Sequence, residues 1–116
     1  MRLRRRREFL AAARGLRVPG RAFVLQAIGR KESERAATVG IGFTVTKKIG
    51  NAVVRNRARR RLREALRPIL PGPALPGHDY VVVARPPAVD QPFAALSADL
   101  EAALRQMARK LQRERR

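Results

Sequence analysis

The residues with the clearest chemistry in this chain are the cations of one stretch, 47–67. The stretch holds nine Lys or Arg residues and a single acid, Glu64. Most of the cations are arginines, whose planar guanidinium groups present forks of N–H donors that match phosphate oxygens. A helix that is merely solvated usually mixes both signs of charge. The stretch therefore predicts a surface that binds a polyanion through its phosphates.

The acidic residues offer no comparable set. The nine Asp and Glu residues are scattered, mostly at the ends of predicted elements or in one polar loop. A two-metal nuclease needs carboxylates clustered around cations about 4 Å apart, and the chain has no cysteine for a zinc site. His78 is the only histidine, and we predict a loop position for it at the end of the Pro/Gly-rich stretch 68–78. We expect no catalytic group and no metal ligand in the protein.

The arginine-rich stretch has the periodicity of a helix that rests on a core. One face carries the apolar residues Val54, Ala58, Leu62, Ala65, Leu66 and Ile69. The opposite side carries Asn56, Arg59, Arg60, Arg63 and Arg67. Like charges four residues apart each destabilise an isolated helix by a few tenths of a kcal/mol. Asn51 is suited to the N-cap, and Pro68 ends the helix.

Strand patterns lie on both sides of this helix. We predict strands at 21–28, 38–46 and 79–85, with a short extra strand near 16–18. Phe23 and Phe43 lie on fully apolar strand faces and are predicted to be core residues. The face of the second strand that holds Gly40 and Gly42 is nearly bare. This bare face suits a closely packed helix and an open ligand surface equally well.

Helices complete the predicted order. A short helix lies within 1–14, and a long one follows the last strand, with an apolar stripe from Phe93 to Leu111. The chain is one α+β domain over 1–116, with the basic ends 1–6 and 110–116 expected to be disordered. Strand, arginine-rich helix and strand form a βαβ crossover, so part of the sheet should be parallel.

The net charge of +18 narrows the class of partner. Basic residues spread over several elements favour nucleic acid over an acidic protein or an anionic membrane. No apolar run approaches 18 residues, so we expect a cytoplasmic protein without a membrane partner. A DNA-binding module would need a short recognition helix or a dimer with half-site spacing, and strands on both sides of the helix disfavour it.

The order of residues within the basic stretch is more specific than its charge. Lys47-Lys48, Gly50-Asn51 and Arg55-Asn56-Arg57 follow one another as in the RNR signature, and the sequence resembles the bacterial ribonuclease P protein subunit from about Arg2 to Lys110. The resemblance implies a sandwich of helices on a mixed four-stranded sheet, in the order αβββαβα. It also implies a ribonucleoprotein in which a catalytic RNA removes the 5′ leader of precursor tRNA. The Mg²⁺ ions would be held by RNA and substrate, and the protein alone would be inactive.

The same resemblance assigns two surfaces. The RNA-binding residues would be Lys47, Lys48, Arg55, Asn56, Arg57, Arg59, Arg60, Arg63 and Arg67. A cleft for the precursor tRNA leader would be lined by Phe9, Ala13, Val24, Gln26 and Asn56. Ala13 and Gln26 stand where the family often has aromatic residues, which predicts weak stacking of leader bases. The alternative is a structural ribosomal RNA-binding protein, which would share the charge and architecture but not the ordered motif.

Overall fold

The computed structural model describes residues 2, 3, 5–30, 38–70 and 72–114. Helix α1 (Arg6–Ala13) precedes three strands, β1 (Leu16–Pro19), β2 (Phe23–Gly29) and β3 (Gly40–Thr44). Helix α2 (Ala52–Leu66), strand β4 (His78–Ala84) and helix α3 (Phe93–Glu114) follow. The predicted order αβββαβα is confirmed. The polar loop predicted between β2 and β3 lies largely outside the described residues.

The four strands form one mixed sheet in the order β1-β2-β4-β3. β2 pairs antiparallel with both β1 and β4, whereas β3 pairs parallel with β4. The parallel pair is the one that α2 connects, as a βαβ unit requires. The last strand of the sequence is therefore inserted beside β2, at the centre of the sheet. Its nearly continuous apolar run suits a strand buried on both faces.

The larger core lies between the sheet and helices α2 and α3. Phe23, Leu25, Tyr80 and Val82 are fully buried on this face of the sheet. The helices contribute Ala58, Leu62, Ala65, Leu66, Leu96, Leu100, Ala103, Leu104, Met107 and Leu111. Both predicted apolar stripes are thus found, except that Phe93 begins α3 with 45% of its surface exposed.

The opposite face of the sheet is covered by α1 and by Leu3. Leu3, Ala12 and Val81 form a second, smaller core against which Phe9 packs. Close packing explains the bare face of β3, because a Cβ added to Gly42 would lie 2.6 Å from Phe9 Cε1. A side chain there would displace the phenyl ring. The glycine therefore sets how closely α1 can approach the sheet.

A buried ion pair fixes the end of the sheet next to this smaller core. Arg30 Nη1 lies 2.9 Å from Asp79 Oδ1, and the two side chains are only 8% and 9% exposed. Arg30 also donates to the carbonyl oxygen of Thr38. Removing one partner of such a pair leaves a buried charge, which costs more than the pair itself contributes. Asp79 is therefore a structural carboxylate, held where β2 and β4 pair.

The described parts of both chain ends contradict the expectation of disorder. Arg2 forms a parallel bridge with Ile41, and Leu3 is buried and donates its N–H to the Ile41 carbonyl oxygen at 2.8 Å. At the other end, α3 continues to Glu114 and buries Leu111. Both leucines are buried, although the many cations around them in the sequence favoured a prediction of disorder. Met1, Arg4, Arg115 and Arg116 lie outside the described residues.

The Pro/Gly-rich stretch 68–78 also ends differently from the prediction. His78 is not a loop residue but the first residue of β4, where it is buried and its Nδ1 lies 3.0 Å from the Pro76 carbonyl oxygen. The Tyr80 hydroxyl accepts a hydrogen bond from the Leu75 N–H at 2.9 Å. Burial raises the pKa of Tyr80, so its hydroxyl stays protonated. These contacts tie the stretch to the sheet.

Leu62→Ala is expected to lower the free energy of unfolding by about 2–5 kcal/mol, because it truncates a fully buried side chain of α2. Arg60→Ala, on the exposed side of the same helix, should change it by less than about 0.5 kcal/mol. Urea unfolding followed by circular dichroism measures both values. Equal losses in the two variants would contradict this assignment of the helix faces.

Candidate nucleic-acid interface

The helix that carries the cations is held by its apolar side. Ala58, Leu62, Ala65 and Leu66 are buried against the sheet and α3. The exposed side is here called the outer α2 surface and consists of Asn56, Arg60, Glu64 and Arg67. Lys47 and Lys48 are exposed in the turn that leads into the helix. Burial of one face therefore turns Arg60 and Arg67 outward, where they and the two lysines can reach a polyanion.

The Gly-Asn pair of the motif builds the start of this helix. Gly50 has φ 152° and ψ −163°, a conformation that side chains with a Cβ rarely adopt. The next residue, Asn51, is the predicted N-cap and accepts a hydrogen bond from the Val54 N–H at 3.0 Å. The pair thus turns the chain and satisfies one free N–H of the helix. It places the two lysines directly before the first turn of α2.

Two arginines of α2 are bound to the protein itself. Arg61 donates through Nη1 to the Ala88 carbonyl oxygen at 2.8 Å and through Nη2 to the Gln91 carbonyl oxygen. Arg57, although exposed, donates through Nε to the Val89 carbonyl oxygen at 3.1 Å. Both residues fasten α2 to the segment that precedes α3. Arg57, predicted to bind RNA, therefore has a structural contact as well.

Three further predicted residues lie along the flank of α2. Arg55, Arg59 and Arg63 are half-buried, so Arg59 and Arg63 are not opposite the apolar stripe as the helical wheel predicted. Arg59 donates to Asn56 Oδ1 at 3.2 Å. The Nε of Arg55 is buried, and no hydrogen-bond partner for it is found among the described residues. These three residues therefore lie at the edge of the buried face of α2.

The predicted leader cleft lies on the face of the sheet that α1 covers. Pairing aligns Arg17, Gln26, Val81 and Gly42 in one row across the four strands. Phe9 lies over the Gly42 end of this row. The next row, away from the buried ion pair, contains Pro19, Val24, Val83 and Thr44, with Val24, Val83 and Thr44 half-buried. The row beside Phe9 is not covered by α1 and forms a shallow surface along which an extended polynucleotide could lie.

The structure brings together only some of the predicted cleft residues. Phe9, Val24 and Gln26 lie on this face and are half-buried, and Ala13 is exposed on α1. Asn56 belongs to α2, in the layer on the opposite face of the sheet. Sequence reasoning missed Arg17 and Val83, and it placed Thr44 on the bare face of its strand without assigning it to the cleft. Strand alternation gives the face of each, but only the pairing order shows that they are neighbours of Gln26 and Val24.

Three of the described carboxylates stabilise the fold. Asp79 pairs with Arg30, Asp99 accepts from Gln91 Nε2 at 3.0 Å, and Glu8 accepts from the Arg5 N–H at the start of α1. In the part of the chain that the structure describes, no three Asp, Glu, His or Cys side chains come together as metal ligands. Across the same residues, no helix is both long and apolar enough to cross a membrane.

Fold and surface together define a small basic α+β protein that presents an arginine-covered helix to a polyanion. The family model of ribonuclease P matches residues 1–108. A ribonuclease P protein component from Gluconacetobacter diazotrophicus is 53% identical over 105 residues, covering 90% of this chain and 88% of that protein. One from Ruegeria pomeroyi is 48% identical over 106 residues, covering 90% and 84%. The structure of the ribonuclease P protein from Thermotoga maritima matches with a TM-score of 0.75 at 27% identity, over 91% of this chain and 96% of that one.

The chain belongs to the ribonuclease P protein family. The resemblance inferred from the ordered basic motif is thus confirmed, and so is the role of a protein subunit in that ribonucleoprotein. The matches do not favour the alternative of a structural ribosomal protein. The individual RNA-binding and cleft residues remain predictions.

Substitutions of two neighbouring arginines of α2 should have different effects, one on the stability of the fold and the other on RNA binding. Arg61→Ala is expected to lower the free energy of unfolding by about 1–3 kcal/mol, because it leaves two backbone carbonyls without their charged donor. Arg60→Ala should leave stability nearly unchanged and weaken binding to the RNA subunit, because Arg60 is exposed. Urea unfolding and filter binding measure the two quantities.

Arg61→Lys is the control for charge. It keeps the cation but loses the fork of donors, so it should destabilise the fold nearly as much as Arg61→Ala. A fully stable Arg61→Lys variant would show that charge alone, and not the paired hydrogen bonds, holds α2 to this segment.

Proposed function

We propose that the protein binds the catalytic RNA of ribonuclease P and the 5′ leader of precursor tRNA, and so assists the hydrolysis that produces the mature tRNA 5′ end. The observation that carries this proposal is the group of exposed cations on and beside α2, namely Arg60, Arg67, Lys47 and Lys48, which face outward because the other side of the helix is buried. With this function the protein would act in the cytoplasm, together with its RNA partners.

Binding of the RNA subunit is assigned to the outer α2 surface and the two lysines before it. Arg60, Arg67, Lys47 and Lys48 are exposed, so their charges can reach phosphates without moving the fold. Each neutralised phosphate releases condensed counterions, which makes the affinity strongly dependent on salt. Asn56 adds a neutral amide to this surface and is bound to Arg59. The arrangement suits recognition of a folded RNA backbone more than a reading of base edges.

The leader is assigned to the surface beside Phe9. The phenyl ring rests on Gly42 and remains half-exposed, so one part of it can contact an unpaired base. Val24, Val83 and Thr44 extend this surface as a shallow row without another aromatic side chain. Arg17, exposed opposite Gln26, supplies charge for the leader backbone. We therefore expect the leader to be held largely through its backbone, with little dependence on base identity.

Cleavage itself is assigned to RNA. The Mg²⁺ ions that this reaction requires would supply the hydroxide nucleophile and stabilise the departing oxygen. Asp79, Asp99 and Glu8 are each bound to other protein groups and lie on different elements, so they do not fit a shared site for these ions. The protein would contribute by holding the RNA subunit and the leader in one complex, which lowers the entropic cost of aligning the substrate.

Protein that is rigorously free of RNA should not cleave precursor tRNA, whereas its mixture with the cognate RNA should do so at millimolar Mg²⁺. The reason is that the described residues provide surfaces for binding and hold no cluster of metal ligands. Cleavage is followed by gel electrophoresis of 5′-labelled precursor. Nuclease treatment of the protein followed by repurification is the control, and cleavage that survives this treatment would refute the assignment to RNA.

Phe9→Leu should weaken leader-dependent binding by no more than about 1–3 kcal/mol, because it removes one stacking surface while keeping the apolar contact with Gly42. The measurement compares the affinities of precursor and mature tRNA for the assembled holoenzyme. Gln26→Ala is the matched variant, in the row of the sheet that Phe9 covers at Gly42. Loss of the precursor preference in Gln26→Ala alone would show that the cleft reads the leader through hydrogen bonds.

A further inference from the structure

A groove lies at the outer edge of β3, where Arg2 bridges Ile41, on the face of the sheet that α2 and α3 cover. It has a volume of about 330 Å³. Its lining consists of Arg2, Ile41, Phe43, Arg63, Leu66, Arg67 and Leu70. This volume is at the lower end of the range for small-ligand pockets, about 300–1,000 Å³. The groove lies on the opposite face of the sheet from the row beside Phe9, so it is not part of the leader cleft.

The groove combines an apolar floor with a cationic rim. Ile41, Phe43, Leu66 and Leu70 are the apolar lining residues, and every other lining residue is an arginine. Phe43 packs against the larger core but remains half-buried, unlike the fully buried Phe23. Its prediction as a core residue therefore holds only for part of the ring. The remaining part is an aromatic surface beside guanidinium groups.

The fold explains how the three arginines reach one place. Arg2 pairs with Ile41 across the edge of β3, so its side chain lies on the groove face while that of Leu3 enters the smaller core on the other face. Arg63 and Arg67 are four residues apart at the end of α2, which places them about 6 Å apart along the helix axis and on the same side. The rim is therefore cationic on both sides of the aromatic floor.

We propose that this groove receives one unpaired nucleotide of the RNA subunit, with its base on Phe43 and its neighbouring phosphates on Arg2, Arg63 and Arg67. This inference rests on the proposed RNA partner and adds a specific subsite to it. A flat aromatic base suits an apolar floor, and the phosphates on either side of it suit a rim made only of arginines. The contact would give the RNA interface one position that depends on a base as well as on the backbone.

The first test uses the absence of tryptophan from the sequence, which allows a single fluorescent reporter to be placed in the groove. Phe43→Trp should lose fluorescence intensity and become protected from acrylamide when the RNA subunit is added. Phe93→Trp, at the exposed start of α3, is the matched control for general quenching. Binding is confirmed independently by filter retention.

A change in Phe43→Trp that exceeds the change in Phe93→Trp supports the proposal. Equal changes in both reporters, or no change in Phe43→Trp at saturating RNA, would overturn it. A response of Phe43→Trp to polyglutamate but not to RNA would also overturn it, since the groove would then accept an acidic peptide.

The second test measures coupling between the floor and the rim. Phe43→Leu should weaken binding to the RNA subunit about 5- to 150-fold, as expected for the loss of one stacked base. In the double variant Phe43→Leu with Arg67→Gln, the factor by which RNA binding weakens should be at least about threefold smaller than the product of the two single-variant factors. The reason is that both residues hold the same nucleotide. Combined with Arg60→Gln, which does not line the groove, the two losses should multiply. Urea unfolding of each variant shows that the fold is retained.

Multiplicative losses for Phe43→Leu with Arg67→Gln would overturn the proposal. This failure can be told apart from a failure of the proposed function. If Arg60→Gln weakens RNA binding and Phe43→Leu does not, only the groove is wrong. If neither variant changes RNA binding, both the groove and the assignment of α2 to the RNA subunit are wrong.

Discussion

The structure depends on keeping one side of α2 buried against the repulsion between its own cations. Like charges four residues apart cost an isolated helix a few tenths of a kcal/mol for each pair. A fully buried leucine contributes about 1.5–3 kcal/mol, and α2 buries Leu62 and Leu66 together with two alanines. Burial therefore outweighs repulsion as long as α3 and the sheet are in place. Arg61 reinforces the contact through two backbone carbonyls, so one arginine helps to hold the others outward.

The sheet separates the candidate contacts of the protein into two layers. One face carries α2, with its outer cations and the groove at the edge of β3. The other face carries α1 and the row of Val24, Val83 and Thr44. β4 lies at the centre of the sheet and is paired along both edges, and its side chains alternate between the two faces. A domain of this size can therefore carry a separate surface on each face. A change in the register of β4 would move both surfaces together.

Much of the fold was predictable because its signals are local. The glycine and asparagine that begin α2, the apolar stripes of both long helices and the alternation of the strands all act within a few residues. The wrong predictions concern residues whose environment is not set by their neighbours in the sequence. The ordered ends and the buried His78 depend on partners distant in the sequence, and the charged residues around Leu3 and Leu111 gave no sign that these leucines are buried. Arg61 looks like its neighbours in the sequence, and only the position of the segment before α3 gives it a different role.

The sequence alone determined that this is a basic α+β protein with an arginine-rich helix and a motif typical of the ribonuclease P protein family. The composition, the periodicity of apolar residues and the residue order are sufficient for such conclusions, because none of these properties depends on which elements contact each other. Only the tertiary structure decided which arginines are exposed and free to bind RNA and which residues surround Phe9. It also decided that Phe43 lines a groove with Arg2 and Arg63. These facts follow from the strand order β1-β2-β4-β3, in which the last strand enters the middle of the sheet. Strand order is set by the summed burial of distant segments, and no single segment of the sequence carries it.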